Sequence, residues 1–346
     1  MSPVRESAEL LGAWLREGRR VARALLVEVE GSAPLPPGAS MLVDDRGGIE
    51  GSITGGCVES AVAQEAVAVL RGGPPRLLTY GISDELAGTV GLSCGGTVHV
   101  FVHELTDEAR EVELAALEAI EERRPVAVAT LLDGDRAGAE LAVVEGRALG
   151  SLGGPPLLDY SVARDAEALL DEGRTTIRRF GAGGETHGVE LRVHVRSFAS
   201  PPQMVIFGAI DFSAALARIA AEVEVAWPQE ALAERRLGPR DAVLVFTHDP
   251  KLDQPALLAA LETGAGYIGA LGSRRTTAAR NRRLLEAGVD ESSLARLRAP
   301  CGLDIGSATP EEVAVSIVAE IIALRSGRAG APLRATEGPI HAPRSA

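Results

Sequence analysis

The sequence predicts an α/β protein in which an N-terminal α+β region, built twice, precedes a Rossmann-like parallel sheet. Three observations predict it. The order of helix and strand patterns in the first hundred residues recurs in the second hundred, and glycine-rich landmarks recur with it. From residue 204 onward, short apolar strand patterns alternate with helical ones, as right-handed βαβ units require.

In the first copy, periodicity predicts a helix around Ala8–Glu17, a strand Val21–Val29, a Pro/Gly loop Gly31–Gly38 and a strand Ala39–Val43. A turn at Asp44–Gly48 and the run Gly51–Gly56 lead into a helix that starts near Cys57 and runs through Ala61–Leu70. Strands follow at Arg76–Tyr80 and Thr97–Val102. The second copy repeats this with a helix Ala109–Glu122, strands Val126–Leu132 and Leu141–Val144, a helix Val162–Asp171, and strands Thr176–Phe180 and Val189–Val195. Gly51-Ser-Ile-Thr-Gly-Gly56 answers to Gly150-Ser-Leu-Gly-Gly154, and Leu77–Gly81 to Ile177–Gly181. The duplicate keeps the glycine pair and sets Pro155 where the first copy sets Cys57. The third unit opens after Ala199-Ser-Pro-Pro202, with strands at Met204–Phe207, Ala242–Thr247 and Tyr267–Ala270. Helices are expected at Phe212–Ala221, Pro255–Thr263, Arg275–Ala287 and Pro310–Arg325, the last with a Thr309/Glu312 capping box. The expected domains are therefore residues 1–105, their divergent copy 106–199, a Rossmann-like domain 200–327, and a tail 328–346.

Composition narrows the function classes. A chain of 346 residues, 46% hydrophobic and 24% charged, can bury several cores. Its net charge is 35 − 48 = −13, so it lacks the basic field that nucleic acid or an anionic membrane surface would select. The N-terminus carries no apolar signal core, and Glu320 interrupts the most apolar late stretch, so integral membrane contact is not expected and a cytoplasmic location is. Cys57, Cys94 and Cys301 cannot form a disulfide framework and have no zinc-ligand spacing. Of the 35 basic residues, only Lys251 is lysine.

Cys57 follows Gly55 and Gly56 at the expected start of a helix, where backbone N–H groups and the helix dipole favour an anion, a thiolate included. It reads as a nucleophile or sulfur carrier, with Glu59 as a nearby acid or base. Burial as a small hydrophobe is the competing reading, and the duplicate without the thiol favours function. Cys94 and Gly95, in Gly91-Leu-Ser-Cys-Gly-Gly96, form a second glycine turn; burial as a small hydrophobe is the first reading of this thiol, and if strand order sets it beside Cys57 the pair could hold a soft metal–dithiolene group. Gly208-Ala-Ile-Asp-Phe-Ser213 retains one glycine of a dinucleotide fingerprint, and the segment after the next helix is too short for a ribose-binding strand, which disfavours NAD(P). Two loops at strand ends suit an anion: Thr247-His248-Asp249-Pro-Lys251-Leu-Asp253 and Gly269-Ala-Leu-Gly272-Ser273-Arg274-Arg275. Asp304 in Gly302–Gly306 can close the same crevice.

These stretches together resemble the XdhC/CoxI family, accessory factors for xanthine dehydrogenase and carbon monoxide dehydrogenase. The carriers are Gly51–Glu59, Gly91–Gly96, Thr247–Asp253, Tyr267–Arg275 and Gly302–Gly306, in the family's order. The resemblance implies an N-terminal XdhC/CoxI domain and a C-terminal Rossmann domain. It also implies binding of the molybdenum cofactor (molybdopterin), help with its sulfuration, and insertion into a molybdenum hydroxylase. Cys57 and Cys94 match the family's glycine-flanked cysteines, and Cys57 would meet the molybdenum. The pterin phosphate is expected near Lys251, Ser273 and Arg274, across a cleft from Cys57. The expected partners are the large subunit of a molybdenum hydroxylase, a cysteine desulfurase and a second copy of the chain as a homodimer. A maturation chaperone thus stands ahead of two rivals, an NAD(P)-dependent oxidoreductase and a purely structural interaction protein.

Overall fold

The computed structural model describes residues 3–81, 96–208, 210–219, 231–232, 235–247 and 249–337, which fall into two compact units, Met1–Ser200 and Pro201–Glu337. The first unit is one design used twice. Helix α1 (Pro3–Arg16) leads into β1 (Val21–Glu30), β2 (Ser40–Asp44), β3 (Ile49–Gly51), α2 (Glu59–Leu70), β4 (Arg76–Tyr80) and β5 (Thr97–Glu104). Then α3 (Asp107–Glu121) leads into β6 (Val126–Leu131), β7 (Glu140–Val144), β8 (Arg147–Gly150), α4 (Pro156–Glu172), β9 (Thr176–Phe180) and β10 (Leu191–Phe198). The strand orders are β3-β2-β1-β5-β4 and β8-β7-β6-β10-β9, the same path taken twice, with every pairing antiparallel.

Each sheet is covered on one face by its own helix. Val58 at the N-cap of α2, with Val62, Ala66 and Val69 along it, buries against β1, β2 and β5; on α4, Leu158, Val162, Ala166 and Leu169 do the same against β6, β7 and β10. These contacts recur at a constant offset of 100 residues, which aligns the helices. Cys57 therefore corresponds to Leu157, not to Pro155; the thiol is still missing from the duplicate. On their other faces α1 and α3 pack on Val21 and Leu42, α3 packs on Val126, Val128 and Ala142, and the two sheets meet where Leu25, Val27 and Phe101 pack on Leu132. Both faces of β1 are thus covered, which explains why seven successive residues from Val21 are buried and no polar alternation shows.

Helix α2 begins at Glu59, two residues after Cys57, and α4 begins at Pro156, a residue suited to a first turn, well before Val162. Strands β3 and β8, of three and four residues, escape periodicity because they are exposed edge strands of small span.

The second unit carries a parallel sheet in the order β11 (Met204–Phe207), β12 (Ala242–Val245), β13 (Tyr267–Ala270), β14 (Leu297–Arg298). The helices are α5 (Asp211–Ile219), α6 (Pro250–Glu262), α7 (Arg274–Glu286), α8 (Glu291–Ala295) and α9 (Pro310–Ser326). Among the described residues β11 forms one edge of this sheet. Helix α9 has the expected capping box of Thr309 and Glu312. Helix α6 starts five residues before Pro255 because Asp249 caps it and Pro250 fits its first turn, so Lys251 and Asp253 lie in the helix and not in a loop.

Candidate functional site

The turn before α2 is organised by one carboxylate. Glu59 Oε1 accepts from Ser52 Oγ at 2.7 Å and from the N–H groups of Ile53 at 3.1 Å and Thr54 at 2.8 Å. Its Oε2 accepts from Thr54 Oγ1 at 3.0 Å and from the N–H groups of Gly56 at 2.9 Å and Val58 at 3.1 Å. Burial opposes the charge, yet the Ser52 hydroxyl and the Thr54 and Ile53 amides hold the carboxyl at about 2. Glu59 stays ionised and fully engaged near neutrality, so the acid–base role read from the sequence does not suit it. The amides of Gly56 and Val58, on either side of Cys57, are thus taken by this carboxylate.

Gly55 (φ +79°) and Gly56 (φ +126°) adopt backbone that favours glycine, and no heavy atom lies within 4 Å of where a Cβ would stand at either. The turn is therefore open above the glycines. Cys57 follows it, half-buried, its side chain packed against the core beneath α2. In the duplicate, Asp159 repeats the anchor: Ser151 Oγ donates to it at 2.7 Å and the Leu152 amide at 2.9 Å. Cys94 and Gly95 lie outside the described residues.

In the second unit, parallel register brings the loops after all four strands to one sheet edge, the place where α/β sheets bind ligands. Gly208 has φ +120°, and a Cβ there would stand 3.0 Å from the Phe246 carbonyl carbon. Close passage of β11 beside the end of β12 thus accounts for this glycine. Ser213 Oγ donates to the Gly208 carbonyl, closing the turn where a dinucleotide fingerprint would have its second and third glycines. Asp249 caps α6 by accepting from the Lys251 amide at 2.9 Å; Lys251 and Asp304 are exposed, and His248 lies outside the described residues.

Ser273 caps α7, accepting from the Thr276 amide at 3.1 Å, with Arg274 and Arg275 exposed in its first turn. Beneath this turn lies a residue that sequence reading missed. Buried Arg280 donates to Asp253 through Nε at 2.8 Å and to the Leu271 carbonyl at 2.9 Å, while its buried Nη1 has no partner. Gly272 lies over that nitrogen: a Cβ at 272 would stand 3.4 Å from Arg280 Nη1. A helix N-terminus, two exposed arginines and an unpaired buried guanidinium nitrogen converge here, a donor set suited to a phosphate. The clue in the sequence was Asp253 in the first turn of a helix whose later turns, Ala256–Leu261, are apolar.

Among the described residues, no three His, Cys, Asp or Glu side chains group as metal ligands, and no helix is long and apolar enough to cross a membrane.

Comparison with known proteins agrees with both units. The model of the XdhC and CoxI family matches residues 14–81 and 119–181, one segment in each copy, and that of the XdhC Rossmann domain matches residues 204–321. A Bacillus subtilis (strain 168) protein, described as a probable component of xanthine dehydrogenase, is 28% identical over 343 residues, covering 91% of this chain and 96% of that one. The molybdenum cofactor insertion chaperone PaoD of Escherichia coli (strain K12) is 28% identical over 318 residues, covering 90% and 85%. A crystal structure from Bacillus halodurans described as a xanthine dehydrogenase superposes with a TM-score of 0.59 at 24% identity, covering 95% of this chain and 98% of that one, a likeness of fold.

Proposed function

Because the chain belongs to the XdhC and CoxI family, we propose that it is a maturation factor that receives the molybdenum cofactor and inserts it into a molybdoenzyme of the xanthine dehydrogenase or carbon monoxide dehydrogenase type. The name of the relative PaoD, a molybdenum cofactor insertion chaperone, supports this reading. The cofactor is cargo here, not a resident group. The observation that carries the proposal is the turn before α2: an open glycine pair, a thiol at its end, an anchor repeated in the duplicate, and Leu157 where the duplicate would need a second thiol. The anchor serves the fold in both copies, whereas the thiol is present in one.

In this reading Cys57 meets the molybdenum end of the cofactor or carries sulfur for its sulfuration, with Cys94 as its neighbour and a cysteine desulfurase as the sulfur source. The edge of the second unit, with Lys251, Ser273, Arg274 and the Arg280 nitrogen beneath Gly272, offers the donors that a pterin phosphate requires. The protein acts in the cytoplasm as a homodimer and delivers to the large subunit of its partner enzyme.

The test is co-production of the partner dehydrogenase with wild-type protein or with Cys57→Ser, measuring partner activity, molybdenum co-purified with this chain and its melting temperature. The expected result is loss of partner activation and of bound molybdenum at unchanged melting temperature. Full activation by Cys57→Ser would overturn the role of the thiol.

A further inference from the structure

Between the two copies in the first unit lies a group of charges that the maturation role does not use. Arg23 on β1 donates to Glu113 on α3 through both terminal nitrogens, at 2.5 and 2.7 Å, and to Glu140 on β7 at 3.3 Å. Arg196 on β10 donates to the same Glu113 through Nη2. All four side chains are more than nine-tenths buried, as are His103 and His194. Donors outnumber acceptors. Two guanidinium groups carry ten N–H donors between them, and the Nε of each has no partner. Burial first, and then the charge of Glu113, pushes the Glu140 carboxyl up.

Arg23, Arg196 and Glu113 form part of the wall of a cavity of about 650 Å³. The exposed area of its wall is mainly apolar, with Leu42, Leu117, Ile120 and Phe198 prominent, and Glu50 and Ser52, on the Cys57 side of the first copy, also line it. The volume lies within the range of small-molecule sites, and an apolar chamber with one convergent polar end is how such sites are built. Arg196 engages Glu113, and more distantly Glu140 at 3.6 Å, through Nη2, while its Nε is enclosed, so Nη1 is the donor left to an acceptor entering the chamber. A neutral ligand gives that donor an ordinary hydrogen bond, whereas a carboxylate gives it a charge-assisted one.

We propose that this cavity is a binding site for a small amphipathic carboxylic acid, its carboxylate on Arg196 and its hydrocarbon or aromatic body against Leu42, Leu117, Ile120 and Phe198. The site is independent of sulfur chemistry at Cys57. Since Ser52 belongs both to the wall and to the Glu59 anchor, the occupant lies beside the turn that carries Cys57.

The probes are 4-phenylbutyrate and its neutral counterpart 4-phenylbutan-1-ol, titrated calorimetrically into the full chain at neutral pH. A charge-assisted hydrogen bond predicts that the acid binds on the order of tenfold tighter than the alcohol. Arg196→Met leaves Glu113 paired with Arg23 and should bring the two affinities together; Ile120→Trp, at a half-buried wall position, should weaken both by a similar factor. No heat from the acid at millimolar concentration, or equal affinity for acid and alcohol in the wild type, overturns the proposal without recourse to any variant. So does a preference that persists in Arg196→Met, or binding unaltered by Ile120→Trp.

Discussion

Glu59 and Asp159 perform one task at equivalent places: each accepts the hydroxyl of the serine that follows β3 or β8 and the amide of the next residue, tying the turn to the helix behind it. The first copy adds amides from Thr54, Gly56 and Val58.

Glu59→Gln replaces a charged acceptor with one that meets several N–H donors less well, and should destabilise the first unit by about 1–3 kcal/mol, read from urea unfolding at neutral pH. The carboxyl lies at about 2 against an ordinary 4.5, so its contribution is present above pH 4.5 and fades as pH falls towards 2. The difference between wild type and variant should narrow over that window. A constant difference down to pH 2.5 would show that charge is not its source.

His103 and His194 are enclosed, and burial, then neighbouring arginine charge, holds each ring at about 3. The unfolded chain protonates them near pH 6.5, so it binds more protons between pH 6.5 and 3 and stability falls as the solution is acidified. Each histidine should contribute about 1 kcal/mol per pH unit below pH 6.5. Phe101 occupies in the first copy the register that His194 occupies in the second. His194→Phe should therefore flatten the decline in urea midpoint between pH 6.5 and 5, and an unaltered slope would remove His194 as a cause.

Asp253 is the sole carboxylate on Arg280 among the described residues, and both are buried. Asp253→Asn leaves that guanidinium without a counter-charge and should cost about 3–5 kcal/mol in the second unit. Differential scanning calorimetry should show a lowered transition for that unit.

Gly208→Ala places a Cβ 3.0 Å from the Phe246 carbonyl carbon in a backbone conformation unfavourable to side chains. A loss of about 1–3 kcal/mol is expected, with no nucleotide needed to observe it. Equal stability would mean that β11 can move away from β12.

Much of this was legible in the sequence. The duplication was, because the landmarks at Gly51 and Gly150 fall in matching turns, and so were the parallel strands Met204–Phe207 and Tyr267–Ala270. Cys57 was matched to Pro155 because glycines were aligned; buried side chains align it with Leu157, since the duplicate's turn is one residue longer between its serine and its anchor. Glu59 was read by its position in a first turn, which cannot reveal that six donors converge on it. Arg23 and Arg196 looked like ordinary strand residues because nothing local says that Glu113, 90 and 83 positions away, will meet them. Lys251 and Ser273 were legible as strand-end polar residues, whereas Arg280 was not, because its partner Asp253 is 27 positions earlier on another helix.

The cluster around Glu113 also bears on how the first unit came to be and how it can be cut. Register gives Arg23 the place that Val128 holds in the other half, and likewise equates His103 with Arg196 and Ser40 with Glu140. A symmetric ancestor of two identical halves could not have held this set, because each position would have carried the same residue twice. The halves have since become complementary and no longer interchangeable. After a gene split between residues 105 and 106, the first piece should hold Arg23 without its carboxylates and the second should hold Glu113 and Glu140 against Arg196 alone, so that the first unit regains its structure only when both are expressed together.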